Sequence, residues 1–304
     1  MSIKLSVCIT AYNRTALLDR TLQCLADQTR QPDEVIVSDD CSPDDPIQMI
    51  EKWRGRFPRF VYNRNERNLH MPGNLNVAVG LATGEYIANL HDADELDPTL
   101  LEKWEYALDA YPGAGFVFCD MSHCTLLHLS PDPLTPGRIF YEKYLRPYYG
   151  CLVWGTVMAR RAAYEKLLPF DPAYSIISDV DMWMRMCLHY DVAYVAERLM
   201  TPDYSPQTYH QPRLSGQFRW HKVESAWKLR RANIYRFYGD QPGRLRRELA
   251  RHHLAVQRHY LRILFGRVWH REWALFREGL ASCRHVGWPL RILGGFSHGQ
   301  AQGQ

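Results

Sequence analysis

The residues in this 304-residue chain best suited to chemistry are the acids of Asp92-Ala93-Asp94-Glu95. Two carboxylates one residue apart, at the end of a strand, point to the same side and can share a hard divalent cation. Mn2+ or Mg2+ held in this way keeps ligand positions open for phosphate oxygens. The same short pattern also occurs as a loop of solvated acids, so its surroundings must decide. Two more polar clusters follow apolar runs: Tyr12-Asn13-Arg14 after the first, and Asp39-Asp40 at the end of the second.

Elements that could position these clusters are legible in the pattern. Leu5–Thr10 reads as a buried strand, and Thr15–Gln28 follows with Leu17, Leu18, Leu22 and Leu25 at helical spacing. Glu34–Asp39 is a second strand, Pro46–Arg54 a short helix, and Arg59–Asn63 a third strand. Asn74–Ala82 reads as a helix and Tyr86–Leu90 as a fourth strand. Such alternation predicts an α/β fold with a mostly parallel, Rossmann-like sheet and right-handed crossovers. Ligands of these sheets bind beyond the carboxyl ends of the strands, where all three clusters fall. Further on, Gly115–Asp120 and Leu152–Met158 read as strands around a loop containing Pro131, Pro133 and Pro136. Ser178–His189 is a helix and Val192–Glu197 a strand.

Thr10-Ala11-Tyr12-Asn13-Arg14, Ser38-Asp39-Asp40-Cys41-Ser42, the Asn68–Asn76 segment, Gly84-Glu85-Tyr86 and Asp92-Ala93-Asp94 occur in one order and spacing. Together they resemble the family 2 inverting glycosyltransferases of the GT-A fold, over about residues 3–212. The resemblance implies a catalytic domain at 1–212. Residues 1–98 would form its nucleotide-binding half and 99–212 its acceptor-binding half. It implies a nucleotide-sugar donor, with uridine favoured by family habit, and a glycan or lipid-linked glycan acceptor. Tyr12 would lie against the base, with Thr10, Ala11, Asn13 and Arg14 forming the nucleotide-binding turn. Asp39 or Asp40 would bond the base or ribose. Asn76 and Ala93 would belong to the same nucleotide site. Asp92 would approach the ribose or a metal-bound water, and Asp94 would ligate the ion.

Ser178-Asp179-Val180-Asp181-Met182-Trp183-Met184-Arg185 is similar to the family's helix that carries the general base, and Asp179 is the matching residue. Inverting transfer requires one, because the acceptor hydroxyl loses a proton as it attacks the anomeric carbon. The departing diphosphate needs only a cation to take up its charge. Asp181 is a second contact for donor or acceptor, or else a pairing or capping acid. Trp154-Gly155-Thr156 matches the region that lines donor sugar and acceptor. The loop Thr208–Ser215 is similar to the family's closing loop, with His210 toward the metal or diphosphate and Arg213 toward the phosphates. Several positions depart from the pattern. Ser178 stands where Glu is usual, and Cys41 and His70 stand where Gly is usual, so those turns are expected to differ. Leu75 stands where Arg is frequent, which makes Arg160 or Arg161 a substitute phosphate ligand.

Charge divides the chain. Residues 1–212 carry 19 Lys and Arg against 28 Asp and Glu, and residues 213–304 carry 18 against 5. The second stretch is therefore a basic helical extension, with Leu245, Leu249, Val256, Tyr260, Ile263 and Leu264 on one stripe. Its arginines and tryptophans suit an anionic membrane surface. Packing on the catalytic domain or forming a homo-oligomer would use the same pattern. Nucleic acid is not expected, since no reader module is present. No run of about 18 apolar residues predicts a membrane-crossing helix. The eight cysteines are scattered without a CxxC pair, as in reduced cytoplasmic proteins. The expected place is the cytoplasm, at most peripheral on the inner face of the plasma membrane, in the synthesis of a bacterial surface polysaccharide or glycoconjugate. A silent relative that only binds nucleotide-sugar or glycan as a scaffold is the main alternative. A nucleotidyltransferase fits less well, because Thr10–Arg14 lacks a glycine-rich phosphate loop.

Overall fold

Strands β1 (Leu5–Ala11) and β2 (Glu34–Asp39) are buried almost end to end. Near-continuous apolar runs of this kind are what a sheet covered on both faces requires. The computed structural model describes residues 3–121, 131–145, 153, 156–202 and 216–269, with isolated residues between 273 and 280. Among them, β3 (Phe60–Arg64), β2, β1 and β4 (Tyr86–His91) form a parallel row in that order. Helices α1 (Thr15–Ala26), α2 (Ile47–Trp53) and α3 (His70–Leu81) connect them.

The register of this row positions the site. Ala11 pairs with Asp39, and Thr10 pairs with His91, so the three strands end nearly flush. The residues that follow, Tyr12, Asp40 and Asp92, leave the sheet along one edge.

After β4 come β5 (Glu95–Leu96), α4 (Leu100–Ala110), β6 (Ala114–Met121), β7 (Leu134–Thr135), α5 (Gly137–Phe140) and a π-helical turn, Tyr141–Leu145. Next are β8 (Val157–Arg160), α6 (Arg161–Leu167), a 3-10 segment Pro172–Ile177, α7 (Ser178–Met186) and β9 (Asp191–Thr201). The row β3-β2-β1-β4 continues through β8, β6, β9 and β5, with β7 also on β9. Six strands run one way, and β5, β7 and β8 run against them. The sheet is thus mostly parallel, with the helices on both faces.

Several elements differ from the sequence pattern, three of them in ways that bear on the fold. Helix α3 starts at His70, four residues before the expected Asn74. Pro72 in its first turn is harmless, because N–H groups there have no intrahelical partner. Among the residues expected as a strand at Leu152–Met158, only Val157 and Met158 lie in β8, which runs on to Arg160. Helix α4 was not expected, yet it buries Leu100, Leu101, Trp104, Ala107 and Leu108 at helical spacing.

The sheet separates two cores. One holds α1, α2 and α4, with Leu22, Trp53 and Trp104 inside. The other holds α3, α5 and α7, with Phe116 in ring contact with both Phe140 and Trp183. Fully burying a side chain of this size contributes roughly 3 kcal/mol. Two long helices follow, α8 (Gly216–Tyr238) and α9 (Pro242–Trp269). Leu229, Ile234, Phe237 and Tyr238 of α8 belong to the second core, and Phe237 stacks on Tyr141 at 3.5 Å between centroids. The change in charge at 213 is therefore not matched by a break in packing. Helix α9 rests on α8 through Val256, Tyr260 and Leu264 around Trp227. No helix among the described residues is long and apolar enough to cross a membrane.

Candidate active site

The first turn of the edge follows β1. Asn13 adopts a left-handed backbone with φ of 55°, a conformation Asn tolerates better than most residues. Its N–H donates to Ser42 Oγ at 2.9 Å, tying the first turn to the second. Tyr12 between them is 46% exposed, so its ring is open to a flat ligand.

The second turn holds two buried acids with different commitments. Asp39 accepts from Ser42 N–H at 3.0 Å, from Tyr62 Oη–H at 2.9 Å and from Arg64 Nη1 at 2.8 Å, which occupies both its oxygens. Burial, followed by the bond to Asp39, pushes the Tyr62 hydroxyl up to about 12. Asp40 uses Oδ1 alone, accepting from Asn65 Nδ2 at 3.0 Å and Leu69 N–H at 2.7 Å. Its Oδ2 accepts no hydrogen bond among the described residues. Behind it Asn74 takes Ser38 Oγ–H and Asn65 Nδ2–H and donates to Ser38 O, a closed polar network. Cys41 and His70 were expected to change their turns. Both instead keep glycine-like backbones, with φ of 62° and 61°, at a cost of about 1 kcal/mol each.

The third turn carries Asp92 and Asp94. Strand β4 ends at His91, so the pair lies in a turn rather than on a strand. Strand alternation is thus not what brings the two acids together. Arg14 Nη1 donates to Asp92 Oδ1 at 3.2 Å, and Thr156 Oγ1 to Asp94 Oδ2 at 3.2 Å. His91 Nδ1 lies 3.6 Å from Asp94, and Arg20 Nη2 holds the Ala93 carbonyl at 2.8 Å. Both acids are only 6% exposed. Burial pushes the Asp92 carboxyl above the usual carboxylate range; Arg14 and His91 oppose this, and the Asp94 charge adds to it.

That donor set fits a divalent cation, which would relieve two crowded, desolvated carboxylates with hard oxygens. The described residues contain no group of three or more His, Cys, Asp or Glu side chains arranged for a metal. Two carboxylates would leave most of the coordination sphere to ligand and water oxygens.

Asp179 opens α7, where the helix N-terminus favours negative charge. It is 7% exposed, and its Oδ1 accepts from Val180 N–H at 2.8 Å. Its charge reaches Tyr164, whose hydroxyl is pushed far up, chiefly by burial, with Cys8 and Asp179 adding. Tyr164 Oη accepts from Asn89 Nδ2 at 2.6 Å, and Asn89 lies on β4 two residues before His91. Tyr164 is thus bonded to the strand that leads into the acidic turn and lies within electrostatic reach of Asp179.

The sequence profile described as Glycosyl transferase family 2 matches residues 6–168, which include all three edge turns. The chain belongs to glycosyl transferase family 2. It is 26% identical over 196 residues to the putative glycosyltransferase EpsE of Bacillus subtilis (strain 168), covering 60% of this chain and 66% of that one. Over 94 residues it is 35% identical to the Campylobacter jejuni GalNAc(5)-diNAcBac-PP-undecaprenol beta-1,3-glucosyltransferase, covering 31% and 30%. The chain thus spans less than two thirds of either relative. Staphylococcus aureus TarS 1–349 in complex with UDP-GlcNAc superposes with a TM-score of 0.57 at 17% identity, covering 94% and 93%. The mannosyltransferase PcManGT of Pyrobaculum calidifontis, in complex with GDP-Man and Mn2+, gives 0.57 at 16%, covering 94% and 87%. These two likenesses concern the fold, which is the GT-A type.

Against this fold, several residues of the family 2 chain have structural rather than ligand-facing roles. Asn76, expected at the nucleotide, donates to Phe170 O at 3.0 Å and accepts Phe170 N–H at 2.7 Å. Its amide is a clamp between α3 and the segment before α7. Asp181 is fully buried, with Oδ2 on Arg185 Nε at 2.7 Å and Oδ1 on Arg236 Nη1 at 2.5 Å, which leaves it no face for a sugar. Arg160 caps the carbonyls of Ala114 and Leu108, and Arg161 holds Gly84 O. Gly84 lies just before β4, Ala114 starts β6 and Leu108 is in the last turn of α4, all at the end of the sheet away from the turns, so neither arginine can serve the phosphates. Thr156 does reach the acidic turn. Trp154, Gly155, His210 and Arg213 lie outside the described residues. The Asn65–Asn74–Ser38 network behind Asp40 escaped the sequence reading, although the density of Asn between 63 and 76 could have signalled it.

Proposed function

We propose that this family 2 protein transfers a sugar, with inversion, from a nucleoside-diphosphate sugar to a hydroxyl of a glycan or lipid-linked glycan. The observation that carries the reading is the flush edge of β1, β2 and β4. There an open tyrosine, a half-committed Asp40 and the buried Asp92–Asp94 pair follow strands in adjacent register.

Tyr12 stacks on the base, and Asp40 Oδ2 accepts from a base N–H or a ribose hydroxyl, while Asp39 holds the turn through Arg64 and Tyr62. Asp92 and Asp94 would hold Mn2+ or Mg2+, with Thr156 orienting Asp94. When bound, the ion supplies positive charge to the diphosphate. Arg14, in contact with Asp92, adds a fixed charge at the same place. Asp179 takes the proton of the acceptor hydroxyl as it attacks. Uridine is our choice of base, and bacterial surface polysaccharide our choice of pathway. The relative named for an undecaprenol-linked substrate and the TarS complex with UDP-GlcNAc support these choices.

A panel of nucleotide-sugars, each with and without Mn2+, tests the reading by thermal melting and then by turnover. A cognate donor at about 100 times its Kd should stabilise the chain by about 2.7 kcal/mol. If no donor shifts the melt, or if the donor that does is neither transferred nor hydrolysed, the enzymatic reading fails.

A further inference from the structure

Helix α9 has an outward face that the sugar-transfer reading does not use. The helix is 28 residues long, or about 42 Å at 1.5 Å per residue. Its inner stripe, Val256, Tyr260 and Leu264, is buried on α8, with Tyr260 and Trp227 centroids 4.1 Å apart. At about 100° per residue, the opposite side presents Leu254, Leu261, Phe265 and Trp269 within an arc of about 80°. All four are exposed, Phe265 at 69% and Trp269 at 85%. Arg247, Arg251 and Arg258 fall in the same arc and are exposed as well. The only acid in α9 is Glu248, which is buried and bonded to Arg251 at 2.8 Å. The face is therefore apolar and cationic, with no exposed acid.

We infer that this face of α9 docks on an anionic lipid membrane, with the helix lying in the interface plane. A bilayer surface places negative headgroups and hydrocarbon within about 10 Å of depth. One helix face that mixes arginine with Leu, Phe and Trp can satisfy both layers at once. Arginine stems bury along the apolar surface while their heads stay at the phosphates. Tryptophan at the end of the stripe suits the headgroup boundary. A second copy of α9 fits poorly, since arginines would face arginines with no acid to pair them. The inference stands independently of which sugar, if any, the sheet edge handles.

The test is flotation of the full chain with vesicles of phosphatidylcholine alone or mixed with phosphatidylglycerol. Binding is expected only with phosphatidylglycerol at about 0.1 M salt, and it should fall steeply as salt rises. The double variant Phe265→Ser/Trp269→Ser should lower partitioning at least tenfold, because two large apolar groups no longer leave water. Arg247→Glu/Arg258→Glu should lower it at least twentyfold, at about fivefold per arginine removed. Both variants should melt at the wild-type temperature, since all four side chains point to solvent. Brominated lipid should quench wild-type fluorescence more than that of Trp269→Phe. Equal binding to both vesicle types, or undiminished binding by both variants, overturns the inference. A dimer split by either variant, without vesicle binding, would assign the face to a second copy instead. Tight binding of a single-stranded oligoribonucleotide without flotation would assign it to nucleic acid.

Discussion

The chain contains the pattern Asp-x-Asp twice among its candidate site residues, and the two copies have opposite fates. Asp92 and Asp94 lie in a turn, 6% exposed, and are held by Arg14 and Thr156. Asp179 and Asp181 lie in the first turn of a helix, where a spacing of two turns side chains about 200° apart. One acid of that pair lies near Tyr164, and the other is sealed between Arg185 and Arg236. Identical spacing thus puts two acids in one turn in the first case and on different sides of a helix in the second. The backbone conformation beneath the acids decides which.

The comparison can be broken by substitution. The largest effect is expected for Asp179→Asn, where loss of the general base should lower kcat by about two to four orders of magnitude. Donor affinity and melting temperature should stay close to wild type. Full activity in this variant would remove Asp179 from the chemistry and make both helix acids structural.

Asp181→Ala should act in the opposite way. It removes the buried carboxylate that holds the partly exposed Arg185 and Arg236 and should cost about 2 kcal/mol of stability, measured by urea denaturation. Because Arg236 comes from α8, the same variant should expose α8 to proteolysis. A variant that melts normally but loses activity would place Asp181 at the substrate after all.

Asp94→Ala sharpens the turn side of the comparison. Calorimetric titration of the donor should then lose most of its dependence on Mn2+, with the fold intact. Retained metal dependence would move the ion elsewhere. The smallest effect separates the neighbouring acids of the second turn. Asp40→Asn should weaken donor binding by about fivefold, roughly 1 kcal/mol, with little change in melting. Asp39→Asn should mainly cost stability, since it loosens Arg64 and Tyr62. Equal donor losses in the two variants would mean that both acids face the base.

Much of the edge was legible because it depends on local pattern. The strands of the first half were readable from apolar runs, and Glu34–Asp39 coincides with its predicted bounds. Asp92 and Asp94 were readable as acids at the end of the fourth strand, although the structure puts them in the turn after β4 and not on the strand. Asn76 and Asp181 have protein partners that the sequence pattern did not signal, for one reason. Each is engaged by a group distant in sequence, Phe170 in one case and Arg236 in the other, and no local pattern signals such a partner. Arg160 and Arg161 were misplaced because β8 runs antiparallel, which sends its last residues to the end of the sheet away from the turns.

The sequence by itself determined the alternation of strands and helices, the family, and the acids near strand ends. These follow from periodicity and from residue types within a few positions of one another. Which acids are tied into ion pairs was decided only by tertiary structure, as was the joining of α8 to the second core. A carboxylate's role depends on what neutralises it, and the neutralising groups come from segments tens of residues away, placed by sheet order and direction.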